Sequence, residues 1–223
     1  MTLYLSRLSL SRAPGPAALN SILSPDAPGP RLDAHHRLLW AAFSDGPDRR
    51  RDFLWREDRP GEFLTLSARP PNASDLFAPP QVKPFAPALE PGSALDFSLR
   101  ANATMSRKGV GRVDVVMDAL RAVPKGERGP ERMATAGRAG AGWLARQGAK
   151  AGFRVDRVEV VDYRTIVLPG HRGPRQDQPQ FGILDMTGRI TVSDPGAFLA
   201  QLVQGFGRAK SYGCGLMLIR RAG

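Results

Sequence analysis

A chain of 223 residues, 42% of them hydrophobic, suits one large or two small domains and can bury a core. No apolar run is long enough to span a bilayer, and the lone cysteine, Cys214, excludes an intramolecular disulfide and any multi-cysteine zinc site. The net charge is +11, yet residues 1–96 carry 11 Lys+Arg against 11 Asp+Glu, so the whole surplus lies in residues 97–223.

That asymmetry points to an acidic polymer, nucleic acid first, docking mainly on the second half. A proteome biased toward arginine gives the same excess without any such partner. The start lacks a basic segment followed by an apolar block, so no signal peptide is indicated and a reducing cytoplasmic setting is expected.

In chain order, Thr2 to Leu10 reads as a strand and Ser11 to Pro30 as a loop rich in Pro, Ala, Ser and Gly. A helix is predicted from Leu32 to Phe43, with Leu32, His36, Leu39 and Phe43 on one face. Strands follow at Asp52–Arg56 and Phe63–Ala68, joined around Pro60-Gly61. Asn72–Phe77 reads as a short helical turn, Val82–Leu89 as an edge strand limited by its prolines, and Glu90-Pro-Gly-Ser93 as a linker.

The second half opens with an alternating strand, Ala94–Met105, interrupted at Arg107-Lys108-Gly109, and a further strand at Val113–Met117. A helix is predicted over Glu131–Ala151, with Trp143 and Leu144 giving a core face and Arg138, Arg146 and Lys150 a drifting basic stripe. Phe153–Leu168 is strand-like, and Pro169–Gln180 is a basic loop holding His171, Arg172 and Arg175. Phe181–Val192 reads as a strand with a turn at Thr187-Gly188. Ser193 or Asp194 then caps a helix entered through Pro195.

The order in the second half matches a split βαβ, ferredoxin-like unit, and the first half matches it less completely. The predicted class is therefore α+β, with two ferredoxin-like (βαββαβ) domains over residues 1–90 and 94–223. RNA-recognition modules share this architecture, but only 7% of the chain is aromatic. Arginine-bearing loops suit it better than base stacking on an open sheet.

The most informative stretch is Gly205-Phe-Gly-Arg-Ala-Lys-Ser-Tyr-Gly-Cys-Gly215. It follows a helix and precedes a strand, the reverse of a dinucleotide fingerprint, and Ala209 before Lys210 excludes a Walker A loop. Glycines allow amides and the cations Arg208 and Lys210 to approach a phosphate; equally, they can serve only to end the helix and pack the last strand. Tyr212 either stacks on a base or packs on the last helix, with packing favoured. Arg49-Arg-Arg51 reads as a solvated turn. Three histidines and one cysteine at these spacings make no metal site.

Four pieces in order carry a resemblance: Tyr4-Leu-Ser-Arg-Leu8; His36-Arg-Leu-Leu-Trp40 followed by Arg51-Asp-Phe-Leu-Trp55; Phe85-Ala-Pro-Ala-Leu-Glu-Pro-Gly92 followed by Leu99-Arg-Ala-Asn102; and the glycine-rich stretch through Leu216. Together they resemble the CasE family, the CRISPR repeat-processing endoribonucleases of type I-E Cascade. The resemblance implies two tandem ferredoxin-like domains and metal-independent cleavage of a repeat hairpin, without a cofactor. The implied partners are the repeat RNA and other Cascade subunits.

It also implies that His36, in the first helix, acts on the scissile phosphate. Some family members carry a tyrosine three residues earlier, where this chain has Asp33. Asp33 is thus a supporting group for His36, and His35 a lower-ranked substitute. By residue pattern alone, His36 reads as a core histidine; the resemblance reverses that reading. Arg37, Arg107, Lys108, Arg138, Arg146, Arg172, Arg175, Arg208 and Lys210 are the expected RNA contacts. The alternative is a hairpin-binding subunit without activity.

Overall fold

The structure, a computed structural model, describes residues 2–44, 51–169 and 179–223. These fall into two compact units. The first comprises Met1–Pro87 with two later segments, Ile166–Gln180 and Lys210–Gly213; the second comprises Ala88–Thr165, Phe181–Ala209 and Cys214–Gly223.

The first unit contains β1 (Tyr4–Ser9), α1 (Pro14–Ala18), α2 (Asn20–Leu23), α3 (Pro28–Phe43), β2 (Phe53–Arg59), β3 (Glu62–Ser67) and β4 (Gln81–Pro84). Its sheet has the order β2-β3-β1-β4, and each pair is antiparallel. The predicted loop at residues 11–30 is partly helical. Pro14 and Pro28 each sit in a first helical turn, where their fixed φ and missing N–H cost nothing.

α3 therefore starts earlier than its apolar pattern suggests. Its buried side is Gly29, His35, Leu38, Leu39, Ala42 and Phe43. That stripe joins Leu8, Phe53, Trp55, Phe63 and Phe77 in one core. The expected helical turn at residues 72–77 is only a turn, with Phe77 bridging Leu10. Among the described residues β4 pairs with β1 alone, and it is exposed throughout, as an edge strand ending in proline should be.

The second unit contains β5 (Ala94–Ala101), β6 (Thr104–Arg107), β7 (Gly111–Asp114), α4 (Val115–Ala119), α5 (Arg128–Ala151), β8 (Phe153–Val167), β9 (Gln180–Val192), α6 (Pro195–Gln204) and β10 (Met217–Arg221). Its main sheet runs β10-β5-β9-β8, and β6 and β7 form a separate antiparallel hairpin. In both main sheets the last strand flanks the first and the third lies inside the second, the ferredoxin-like order. The protein is thus α+β with two ferredoxin-like units in tandem.

Three expectations for this unit change. Val115–Met117 begins α4 rather than continuing a strand, because the Asp114 carboxylate accepts hydrogen bonds from the amides of Val116 and Met117. The strand predicted to Met105 breaks after Ala101, and a hairpin is inserted there. Thr187-Gly188 is no turn: β9 is continuous, with Gly188 opposite Phe97. At the entry to α6, the Asp194 carboxylate accepts from the Ala197 amide, the cap expected from the sequence. No helix among the described residues is long and apolar enough to cross a membrane.

Candidate active site

Adjacent histidines on α3 meet opposite environments. The helix turns about 100° per residue, so only one of two neighbours can face the core. His35 takes that position: it is fully buried, edge-on to Phe63 at 4.8 Å and to Trp55 at 6.4 Å between ring centroids. Burial first, and then the charge of Arg31, push its pKa down to about 4. Among the described residues neither of its ring nitrogens finds a hydrogen-bond partner, although Glu57 Oε2 is 3.8 Å from Nδ1. His35 is therefore a neutral core residue, and its candidacy as a substitute catalyst falls.

His36 lies at the edge of the helix's buried stripe and is half-buried. The predicted apolar face holds at Leu39 and Phe43, both buried, but 35, 38 and 42 rather than 32 and 36 complete the inner stripe. Its ring is 6.4 Å from that of Trp40 and 5.8 Å from that of Tyr212, the latter tilted at 48°. Burial and then Arg51 lower its pKa. The Asp33 carboxylate and main-chain hydrogen bonding with Ser211 oppose this, and Arg37 adds to the lowering. The net shift favours the neutral imidazole, the form able to accept a proton.

Lys210, Ser211 and Tyr212 form one 3-10 turn within the glycine-rich stretch, and Lys210–Gly213 cluster with the first unit. Ala209, just before it, has a positive φ of 50°, a strained conformation for a residue with a Cβ. Gly213, just after it, has a φ of +74°, and a Cβ there would stand 3.1 Å from the Trp55 ring. Side-chain-free backbone is what lets this turn lie on the core of the first unit. At the start of α3 the same principle holds at Gly29, whose absent Cβ would strike the Val167 carbonyl oxygen at 1.9 Å.

Arg51 completes the cluster, and the sequence reading missed it. Instead of standing in a solvated turn, it is half-buried and donates from Nη1 to the Ser211 hydroxyl at 3.0 Å. Burial lowers the pKa of Arg51. Burial and Arg51 together lower that of Lys210. Two partly buried cations, one of which raises the cost of ionising the other, make with the neighbouring histidine a ready site for an anion. The only local hint was that Arg51 directly precedes a buried strand; its partner is 160 positions away.

The remaining expected contacts are placed as follows. Asp33 and Arg37 pair at 2.7 Å, with Arg37 74% exposed. On the β6–β7 hairpin, Arg107 pairs with Asp118 and Lys108 is exposed. On α5, Arg138 lies 3.6 Å from Glu131 and donates to the Thr135 hydroxyl, whereas Arg146 is exposed. Arg208 is exposed in the second unit, where its amide bonds the Asn102 carbonyl. Arg172 and Arg175 lie outside the described residues.

Likeness to known proteins decides the family. The family described as CRISPR associated protein matches residues 3–221. The CRISPR-associated endoribonuclease Cse3 of Thermus thermophilus is 30% identical over 217 residues, covering 82% of this chain and 87% of the relative. This chain belongs to the CasE (Cse3) family of CRISPR-associated proteins.

Solved structures agree. Cse3 bound to a 19 nt RNA superposes with a TM-score of 0.69 at 27% identity, covering 98% of both chains. Thermus thermophilus Cse3 bound to an RNA representing a pre-cleavage complex gives 0.69 at 26% identity, covering 99% of this chain and all of that one. Cas6e from Escherichia coli K-12, at 23% identity and a TM-score of 0.62, covers 98% of this chain and all of its own, and shares the fold.

Proposed function

We propose that this protein is a metal-independent endoribonuclease that cuts CRISPR repeat hairpins in precursor crRNA and keeps the product as part of Cascade. The family relation supports RNA processing, since the Cse3 relative is an endoribonuclease and related structures hold RNA. The observation that carries the chemistry is His36: a half-buried imidazole biased to its neutral form, with Arg51 and Lys210 beside it.

Metal-free cleavage uses the substrate's own 2′-hydroxyl. A base removes its proton, the 2′-oxygen attacks phosphorus, and the bond to the 5′-oxygen breaks. The products are a 2′,3′-cyclic phosphate and a 5′-hydroxyl. A neutral His36 suits the base role, and one such group supplies roughly 10²–10⁴-fold. Arg51 and Lys210 would hold the phosphate and offset the charge of the phosphorane. Asp33 supports His36 electrostatically; it is an ion-paired carboxylate, not a proton donor. Arg37, Lys108, Arg146 and Arg208, all exposed, are proposed backbone contacts, with Arg107 and Arg138 in lesser roles because carboxylates already engage them. Arg172 and Arg175 are proposed contacts by charge alone.

The test is incubation with end-labelled repeat RNA in EDTA. Product with a cyclic phosphate and a 5′-hydroxyl end supports the proposal; tight binding without product points to a non-catalytic hairpin-binding subunit. The pH profile adds a sharper check. A base must be unprotonated, so the rate falls as pH drops through the His36 pKa. That acid limb should lie below histidine's ordinary value of about 6.5. Arg51→Gln removes a lowering charge and should move the limb up; Asp33→Asn removes a raising one and should move it down.

A further inference from the structure

We propose that Tyr212 is the general acid of this site, giving its phenolic proton to the 5′-oxygen leaving group while His36 takes the proton of the 2′-hydroxyl. The inference rests on the proposed metal-free cleavage and assigns the second proton transfer, for which that reading names no donor.

The site offers few candidates. Asp33 is ion-paired to Arg37 and accepts rather than donates. Arg51 keeps its protons at any working pH. Ser211 is held by Arg51, and its hydroxyl is a far weaker acid than a phenol. Lys210 and Tyr212 remain, both in the same turn of the glycine-rich stretch.

The geometry favours Tyr212. Its ring is 5.8 Å from that of His36 and tilted at 48°, neither the offset stack nor the edge-on contact that aromatic packing prefers. Tyr212 is only partly buried. Burial and the Asp33 carboxylate raise the phenol's pKa, so it holds its proton through the neutral range and has one to give. Burial and Arg51 disfavour the Lys210 ammonium, so Lys210 is the competing donor, and a substrate that needs no acid tells the two apart.

The step balances. Imidazole accepts the 2′-hydroxyl proton, the new P–O2′ bond forms, and the P–O5′ bond breaks as the phenol protonates the departing oxygen. Afterwards the phenolate and the imidazolium exchange one proton through solvent, and both return to their starting forms.

Single-turnover cleavage in EDTA tests this with two forms of the repeat RNA. One has the ordinary 5′-oxygen at the scissile bond; the other has a bridging 5′-sulfur, which leaves as a thiolate and needs no acid. Tyr212→Phe should bind the hairpin as wild type does. It should cut the oxygen substrate roughly 10²–10⁴-fold more slowly. It should cut the sulfur substrate at the wild-type rate. Lys210→Ala should slow both substrates alike. Equal defects of Tyr212→Phe on both substrates, or none on either, overturn the assignment. Loss of both activities in His36→Ala beside a wild-type rate in Tyr212→Phe overturns Tyr212 alone. Wild-type cleavage by His36→Ala overturns the underlying reading of the site and Tyr212 with it.

Discussion

The two units use cations differently, and charge counting alone inverts the picture. The net positive charge resides in residues 97–223, yet many second-unit arginines are already satisfied. Arg100 and Arg164 both grip Asp185, at 2.7 and 2.6 Å. Burial opposes ionisation of that carboxyl, but the two guanidiniums outweigh it and hold its pKa low. Arg189 and Arg220 share Asp96. In the first unit, by contrast, Arg51 meets a hydroxyl, and Lys210 is disfavoured by burial and by Arg51. A small number of poorly compensated, partly buried cations defines a reactive anion site; a larger number of paired or exposed ones defines a sticky surface.

His36→Ala tests this contrast most strongly. Cleavage should fall by at least about 10²–10⁴-fold while hairpin affinity stays near wild type, read by single-turnover rates and filter binding. An equal loss of affinity would mean that the first unit also supplies most of the binding.

Next in size is an acid sensitivity confined to the first unit. The pKa of His35 is about 4 when folded and near 6.5 when unfolded. Above 6.5 both states are neutral, and the stability is fully present. As pH falls from 6.5 toward 4, the unfolded chain takes up a proton that the folded state refuses, and stability declines by about 3 kcal/mol in all. Urea midpoints at pH 7 and pH 5 should differ for wild type and differ clearly less in His35→Phe, where only the smaller share of His36 is left.

Gly213→Ala should come third. The strained φ and the contact with Trp55 predict a loss of about 1–3 kcal/mol, and a displaced Lys210–Tyr212 turn should slow cleavage more than binding. The smallest effects belong to the second unit. Lys108→Ala and Arg146→Ala should each weaken hairpin binding and lower the salt slope by about one, with the rate of the bound complex unchanged. A change in that rate would erase the distinction between the units.

Much of this molecule is legible in local order along the chain. Proline placement, the Asp194 cap, the alternation in Ala94–Ala101 and the glycine-rich turn are local signals, and the structure follows them. The pattern also brought His36 forward through its likeness to a known family. Local signals failed where a competing local bond won, as when the Asp114 carboxylate started a helix inside an apolar run. They failed again over which histidine faces the core, because the stripe through Leu39 and Phe43 continues to 35, 38 and 42 and leaves 36 at its edge. Folding alone brings Arg51 and Tyr212 beside His36. Desolvation and charge proximity, which set the chemistry of an imidazole, depend on neighbours in space, and the neighbours of His36 reach along the chain to Tyr212.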